Sequence, residues 1–484
     1  MTTPTKSMRT SNTRLSQTLA LSALVLLTGC SMTPLYERPT APVAPQWPVL
    51  LGANAPNTTA TAADTPWQDF VGDPRLRELV GLALQNNRDL RVALAAIEQA
   101  RAQYQIRSAD QVPTVNAAVT GNRQPSSGGN SISNSYTAGL ALASWELDFF
   151  GRVASLKDAA LAQFLATQEA RNAVQTSLIA SVASTWLSLQ TNQELLALTQ
   201  YTLLTREESL RLNRMRFEQG VTSALDLRQA ESLTAAAQAT LAQQKRLRAL
   251  DINALTQLVG QPVPDALLAA PQWPANLALR DVPVGMPSDL LERRADIRQA
   301  EQQLMAANAN IGAARAAFFP RIALTASAGT ASGALSGLFK SGAWGWTLAP
   351  QAVLPIFDAG RNQAGLESAQ AGRDLALAQY EKTIQSAFRE VADALAGRAT
   401  LGDQVRAQQA QAKAEADRFQ LANLRHLKGI ANYLEVLDAQ RASFAAQQAL
   451  AQTQLAQQQN QIALYKALGG GWSAPAPGSV QPAQ

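Results

Sequence analysis

Few side chains in this 484-residue sequence could take part in catalysis or metal binding. Cysteine and histidine each occur once, as Cys30 and His426, which excludes a Cys/His zinc site and a disulfide framework. Glu146, Asp148 and Asp358 are candidate acids, but no nucleophile–base pair, metal cluster or glycine-rich phosphate loop accompanies them. We therefore expect no enzyme, no cofactor and no metal, and Cys30 becomes the residue whose position indicates chemistry.

Cys30 stands at the end of a segment typical of a bacterial export signal. Residues 1–29 carry three basic residues, no acid, and an apolar run that is too short to cross a bilayer. The run ends in Leu27-Thr28-Gly29-Cys30, which is similar to a lipobox, in which the cysteine becomes the lipidated first residue. The alternative is a buried cysteine after an ordinary signal peptide. Ser31 follows, and similarity to bacterial lipoproteins implies sorting to the outer membrane, with acyl chains such as palmitate as the anchor.

The net charge depends largely on that segment. The chain has 41 Lys and Arg against 36 Asp and Glu, a formal charge of +5. Removal of residues 1–29 takes away three cations and leaves 38 against 36, or +2. A nearly neutral mature chain offers little attraction for a nucleic acid.

The remaining composition favours long helices that meet through small side chains. Alanine makes up 92 of the 484 residues, which leaves few bulky apolar residues for one large globular core. Residues 30–66 differ because they contain seven prolines, so we expect a lipidated, extended N-terminal arm.

An internal duplication sets the domain organisation. Matching positions recur at a nearly constant offset of 207 to 209 residues: Asp89 with Asp296, Pro113 with Pro320, Gly220 with Gly429, and Gly260 with Gly469. One register across glycine and proline positions is typical of a true repeat. The sequence predicts repeats over 67–260 and 287–469, a proline-rich linker over 261–286 and a disordered tail over 470–484.

Each half is expected to contain the same elements. A helix opens it, over about 74–109 and 287–319, and strands with alternating apolar residues follow, in hairpins over 113–149 and 320–357. A long helical hairpin completes each half, over 152–259 and 361–468. Its first helix is about 100 Å long at 1.5 Å per residue. An apolar residue every seventh position predicts a coiled-coil seam, formed by Val182, Leu189, Leu196, Leu203, Leu210 and Phe217.

The predicted strands limit the possible oligomeric states and functions of the chain. Soluble hairpins are one interpretation of the alternation, and membrane strands are the other. Four membrane strands cannot close a barrel, and an open sheet edge is not tolerated in lipid. Membrane strands therefore require an oligomer, with eight strands in a dimer, whose interior side chains would fill, or twelve in a trimer, which leaves a lumen. This geometry favours a conduit over a catalyst.

Longer motifs carry a family resemblance. The sequence resembles the TolC-type outer-membrane efflux lipoproteins, the outer-membrane factors of tripartite resistance-nodulation-division systems, of the NodT-like subfamily. The matching segments include Trp67, Asp73–Leu76, Asn87–Leu90, Pro287–Arg294, Ala306–Pro320, Leu354–Arg361, Asn432–Arg441 and Leu464–Trp472. The resemblance covers nearly all of the mature chain.

The resemblance implies an α+β membrane protein that forms a homotrimer. It implies a β-barrel of twelve transmembrane strands, four from each chain, that continues into a periplasmic α-helical coiled-coil barrel. It also implies a passive conduit for small molecules in multidrug efflux, bound to a periplasmic membrane-fusion adaptor and an inner-membrane pump. Two alternatives stay open: a periplasmic coiled-coil scaffold or adaptor lipoprotein without a pore, and an enzyme.

The resemblance further places a gate at the turns of the two helical hairpins. Candidate residues there are Gly220, Asp226, Arg425, His426, Lys428, Gly429, Ala431 and Glu435. Family members often have an acidic ring at this aperture, but the second turn is basic and carries Ala431, which argues against an anionic gate. A solvated helix end that favours the helix dipole is the alternative interpretation of His426, and a pH switch is another.

The lipid attachment yields the first testable prediction. Replacement of Cys30 by alanine removes the only thiol, so we expect incorporation of labelled palmitate to be abolished. Replacement of Ser31 by alanine keeps the thiol and should keep the label. Equal labelling of the Cys30→Ala variant and the wild type would contradict lipid attachment at this residue.

Overall fold

The fold is that of a computed structural model, mainly helical with one sheet, in which residues 31–47, 65–125, 132–269, 279–284 and 288–472 are described. The predicted signal segment, Cys30 and the tail from residue 473 lie outside the described residues. Residues 48–64 of the arm, and residues 270–278 and 285–287 of the linker, also lie outside the described residues.

The helices and strands follow the same order in each half. The first half contains α1 (Trp67–Phe70), α2 (Pro74–Asn86), α3 (Arg88–Ala109), β1 (Val115–Pro125), β2 (Ile132–Leu147), α4 (Arg152–Glu218), α5 (Ala224–Val259) and α6 (Asp265–Leu268). The second contains α7 (Asp289–Arg293), α8 (Ala295–Ala316), β3 (Arg321–Ser332), a 3-10 turn (Leu335–Gly337), β4 (Trp344–Val353), α9 (Arg361–Leu427) and α10 (Tyr433–Ala467). The longest helices of the two halves have the same length, with 67 residues in both α4 and α9.

The chain divides into two compact units, and each unit contains segments from both halves. The first consists of residues 1–40, 96–168 and 299–380, and the second of 41–95, 169–298 and 381–484. Within the described residues, no helix combines the length and the apolar character that a bilayer span requires.

The first unit contains the sheet. Its four strands are antiparallel in the order β1–β2–β3–β4, so β2 and β3 join the hairpins of the two halves. The strands are 10 to 16 residues long, and every residue of β4 is exposed. Within the described chain, β1 and β4 each have one neighbour, so the sheet has two free edges.

The strand limits differ from the sequence expectation. β4 ends at Val353, short of the expected 357, because Pro355 has no N–H to donate to a ladder. The sequence predicts a Gly/Ser-rich loop over 124–135, but β1 and β2 pair into this loop, from Val115 opposite Leu142 to Pro125 opposite Ile132. Backbone pairing does not require apolar side chains, and therefore the hydrophobic alternation underestimates these strands.

The N-terminal arm is attached to α8 in the first unit. Both carboxylate oxygens of Glu301 accept hydrogen bonds from the Arg38 guanidinium, at 2.7 and 2.8 Å. The Tyr36 hydroxyl donates to the same carboxylate at 3.2 Å. The side chain of Glu301 is only 6% exposed, whereas that of Arg38 is 46% exposed, so the buried carboxylate receives its hydrogen bonds from a cation at the surface.

A second group of contacts holds the beginning of the arm against the same helix. The side-chain amide of Asn308 donates to the carbonyl of Pro34 at 2.8 Å, and the hydroxyls of Thr33 and Ser155 lie 3.0 Å apart. Gly312 faces Thr33 so closely that a Cβ would collide with it. The close approach of Thr33 to α8 therefore requires a glycine at position 312.

In the second unit, the opening helix of each half is broken. The sequence predicted continuous helices over 74–109 and 287–319, and this is wrong at Asn87 and Arg294, which are both extended. The side-chain amide of Asn87 donates to the backbone carbonyl of Leu258 at 2.8 Å. The guanidinium of Arg294 donates to the backbone carbonyl of Ala467 at 3.0 Å. Each break thus satisfies a carbonyl at the end of a return helix, which would otherwise lack a partner.

The cation at the second break is buried. The side chain of Arg294 is 7% exposed and pairs with Asp296 at 2.6 Å and Glu390 at 2.8 Å. Burial alone would lower the pKa of Arg294, but the bonds and charges of these two acids outweigh it and raise the pKa. The ion pairs therefore keep this guanidinium charged inside the joint.

The predicted seam of α4 is only partly buried in the chain. Val182 and Leu189 are fully buried, whereas Phe217 is 41% exposed. Toward the end of α4 the buried positions are polar: Thr199, Thr202, Arg206 and Asn213. Arg206 donates to the carbonyl of Leu233 at 2.9 Å. Backbone carbonyls, which do not show in a residue pattern, make this polar stripe acceptable.

The arm contact yields a prediction with a matched control. Gly312→Ala places a methyl group against Thr33 and should destabilise the protein by about 1–3 kcal/mol. Gly365→Ala, in α9 of the same unit, meets nothing within 4 Å and should be neutral or stabilise by up to roughly 1 kcal/mol. Thermal unfolding midpoints measure both variants, and equal midpoints would contradict the arm contact.

Candidate functional site at the helical tips

Each long helical hairpin turns at a glycine in the left-handed conformation. Gly220, between α4 and α5, has a φ of 71°, and Gly429, between α9 and α10, has a φ of 75°. The backbone amide of Val221 donates to the backbone carbonyl of Arg216 at 2.8 Å, and the backbone amide of Ile430 donates to the backbone carbonyl of Arg425 at 2.9 Å. These bonds close the ends of α4 and α9 in Schellman motifs, which favour glycine.

The first tip is capped by an acid. The Ser223 hydroxyl accepts from the amide of Asp226, whose carboxylate accepts from the Ser223 amide, a reciprocal capping box. The hydroxyls of Ser223 and Thr222 also donate to that carboxylate, at 2.7 and 3.0 Å. These hydrogen bonds, chiefly from Ser223, lower the pKa of Asp226. This predicted tip residue therefore has a structural role as a cap.

The second tip is capped by an amide and is more basic. The side chain of Asn432 accepts from the amide of Glu435 at 3.0 Å. The Glu435 carboxylate accepts from Arg425 at 2.6 Å, which leaves Lys428 as an exposed cation without an ion pair among the described residues. Ala431 contributes its carbonyl, which lies 3.2 Å from Nδ1 of His426.

Side chains connect the two tips. Nη1 of Arg216 lies 3.5 Å from Nε2 of His426, and the His426 ring is 5.3 Å from that of Tyr433. Asn213 forms a hydrogen bond with Tyr433, and burial of the phenol raises the pKa of Tyr433 in spite of that bond. These contacts join α4 to α9 and α10. Sequence reasoning missed Asn213 and Tyr433; the position of Asn213 three residues before Arg216 on one helix face was the available signal.

The tips also expose aliphatic side chains. Five aliphatic side chains are between 49% and 76% exposed: Val221, Leu225, Leu427, Ile430 and Leu434. Aliphatic residues concentrated at helix turns, surrounded by charged residues, are typical of a surface that contacts another protein.

The candidate catalytic acids have structural partners. Glu146 accepts from Arg152 at 2.7 Å and from Arg321 at 2.6 Å. Asp148 caps the amide of Ala154 at 2.7 Å. Asp358 accepts from backbone amides of its own turn, chiefly Asn362, which lowers the pKa of Asp358. In the described part of the chain, no cluster of three or more His, Cys, Asp or Glu residues could hold a metal ion.

Both halves of the chain match one known protein family. The model of the outer membrane efflux protein family matches residues 79–261 and again 286–470. The chain belongs to this family. The two matches correspond to the two halves of the chain, in agreement with the duplication.

Individual relatives match almost the full length. The solvent efflux pump outer membrane protein SrpC of Pseudomonas putida is 47% identical over 465 residues, which cover 94% of this chain and 98% of SrpC. The antibiotic efflux pump outer membrane protein ArpC of the same species is 46% identical over 462 residues, which cover 94% and 95%. The crystal structure of the open state of the Neisseria gonorrhoeae MtrE outer membrane channel has a TM-score of 0.83 and 40% identity, and the match covers 91% of this chain and 98% of that one.

Family membership confirms the resemblance inferred from motifs such as Ala306–Pro320. The protein is an outer-membrane efflux protein, and the expected localisation in the outer membrane of a Gram-negative bacterium is also confirmed. The roles of the tip residues in a gate stay predictions, and Cys30 lies outside the described residues.

The left-handed turns give a testable prediction for the site. Gly429→Ala should loosen the second tip by about 1 kcal/mol, because an L-residue is strained at positive φ. Hydrogen exchange at the amides of Gly429 and Ile430 should then be roughly fivefold faster. Gly429→Asn is the control, since asparagine tolerates this conformation better. Unchanged exchange in the alanine variant would contradict the role of the turn.

Proposed function

We propose that this chain is the channel subunit of a tripartite efflux system, and that three copies form a passive conduit across the periplasm and the outer membrane. The sheet with two free edges carries the proposal. An outer-membrane protein cannot leave unpaired backbone groups in lipid, so β1 of one chain would pair with β4 of another.

The number of copies follows from the need for a lumen. Two copies supply eight strands, and the interior of such a barrel is filled by side chains. Three copies supply twelve strands and leave a passage. In the same trimer, the long helices would form the periplasmic coiled-coil barrel, and residues 67–260 and 287–469 would be its two repeats.

The substrates and partners are proposed by analogy with the relatives. SrpC and ArpC are named as components of solvent and antibiotic efflux pumps, so we propose small molecules of several chemical classes as cargo. A membrane-fusion adaptor would bind the exposed aliphatic residues of the tips, and a resistance-nodulation-division pump in the inner membrane would supply the energy. The conduit would perform no catalysis, because Glu146, Asp148 and Asp358 are engaged in ion pairs and caps.

The N-terminus and the tips complete the proposal. Lipid on Cys30 would anchor the mature chain, and the arm contacts at Glu301 would hold its first residues. The gate would lie at the tips, where the candidate residues are those at the turns of Gly220 and Gly429, among them Asp226 and Ala431.

Deletion and complementation test this function together with ion selectivity. Loss of the gene should increase susceptibility to solvents and antibiotics, and the wild-type gene should restore resistance.

In planar bilayers the purified protein should conduct ions, and Ala431→Asp should shift selectivity toward cations by severalfold, since three added carboxylates attract them. Ala431→Asn, of equal size but uncharged, is the control. Absence of conductance in the purified wild type would overturn the conduit.

Surface labelling separates the conduit from a scaffold without a pore. Ser341 is exposed in the loop between β3 and β4, and a cysteine there should react in intact cells with a membrane-impermeant maleimide. A periplasmic scaffold lipoprotein would show no reaction until the outer membrane is permeabilised.

A further inference from the structure

The two faces of the sheet differ in polarity. Residues paired across antiparallel strands lie on the same face, and successive residues of a strand alternate between faces. Five exposed apolar side chains share one face: Val119, Leu140, Trp344, Trp346 and Leu348. On the other face the hydroxyls of Thr120 and Thr137 lie 2.6 Å apart, and those of Ser327 and Thr347 lie 2.7 Å apart. A sheet that spans a bilayer turns its apolar face to lipid and its polar face to the lumen.

A bulge in β2 decides which face carries Glu146. The register shifts between Leu142 and Trp145, where β2 has one residue more than β3, and Ser144 in this stretch has a φ of 45°. An extra residue reverses the alternation beyond it. Without the bulge, Glu146 would share the apolar face of Leu142, where a carboxylate is disfavoured in lipid. With the bulge, Glu146 lies on the polar face together with Arg321, and these are the only charged residues on that face within the four described strands.

Two guanidiniums share the Glu146 carboxylate. It accepts from Nε of Arg321 at 2.6 Å, and from Nε and Nη2 of Arg152 at 2.8 and 2.7 Å. The side chain of Glu146 is 11% exposed, whereas that of Arg321 is 65% exposed. The three groups together carry one excess positive charge, and the part of the cluster that reaches solvent is the Arg321 guanidinium.

Other acids at this end of the sheet are engaged elsewhere. Asp110 pairs with Arg107 at 3.5 Å. Asp148 accepts from the backbone amide of Ala154 at the start of α4, and Asp358 accepts from backbone amides of its own turn. The exposed Arg361 adds a further cation beside the cavity that Glu146 and Arg321 line. The positive charge of Arg321 is therefore not cancelled by its surroundings.

We propose that Arg321, held on the lumen face by Glu146, is a charge filter of the conduit. Three copies would form a ring of guanidiniums at the end of the barrel that adjoins the helices, and this ring favours carboxylate- and phosphate-bearing solutes over cations. Rings of basic side chains select anions in pores, and the rest of the polar face of the strands carries neutral side chains that do not oppose the ring. This inference rests on the proposed function, because it requires three copies around a lumen.

Reversal potentials of the full-length protein in planar bilayers, measured across a gradient of dilute KCl in which screening is weak, test the filter. Arg321→Gln should lower the ratio of chloride to potassium permeability by about threefold. Arg321→Lys keeps the charge and should keep the ratio. Arg123→Gln is the matched control, since it removes a cation from the apolar face at the opposite end of the sheet and should leave the ratio unchanged.

These variants separate a filter from a purely structural ion pair. If Arg321→Gln lowers the thermal unfolding midpoint but conducts with the wild-type permeability ratio, the filter is overturned and the conduit stands. Absence of conductance in the wild type would overturn the conduit and the filter together.

Thiol labelling tests the assignment of the faces without a current. Thr347 and Leu348 are neighbours in β4, exposed on opposite faces of the sheet. In proteoliposomes, a charged, water-soluble maleimide should react with the Thr347→Cys variant and much more slowly with Leu348→Cys. A reaction of Leu348→Cys as fast as that of Thr347→Cys, or faster, would place the polar face and Arg321 away from the lumen and overturn the filter.

Discussion

Hydrogen bonding at the ends of the return helices is the constraint on which each half of this protein depends. Gly260 and Gly469, with φ of 77° and 81°, end α5 and α10 directly against the carbonyls of Asn86 and Arg293. A side chain at either glycine would prevent this approach. The adjoining break in the opening helix then supplies the donor for the terminal carbonyls. One joint is thus built twice, with an amide in the first half and a buried, ion-paired guanidinium in the second.

Several charged residues have structural partners in the same way. Arg294, Asp296, Glu301 and Glu146 all form ion pairs that hold elements together, and each pair has one partner that is largely buried. Alanine at 92 positions allows helices to pack closely, so that specific polar contacts decide where the elements meet.

Duplication gave the two tips the same backbone and different side chains. Both turns use a left-handed glycine and a Schellman motif, but the first is capped by Ser223 with Asp226, and the second by Asn432. The second tip also carries the histidine, which contacts Arg216 of the other hairpin and Ala431 of its own. The contact between Arg216 and His426 thus comes from a difference between the repeats.

The sequence by itself determined the lengths of the long helices, their turns, the duplication and the family. These depend on local rules, since 152–219 lacks proline and glycine, and Gly220 and Gly429 follow directly after the long helices. Only the tertiary structure decided that the opening helices break at Asn87 and Arg294, that the end of α4 buries a polar stripe, and that His426 faces Arg216. Each of these depends on a partner far along the chain, such as Leu258, Ala467 or Leu233. Periodicity reports which face of a helix is apolar, but a hydrogen bond to a distant carbonyl leaves no local pattern.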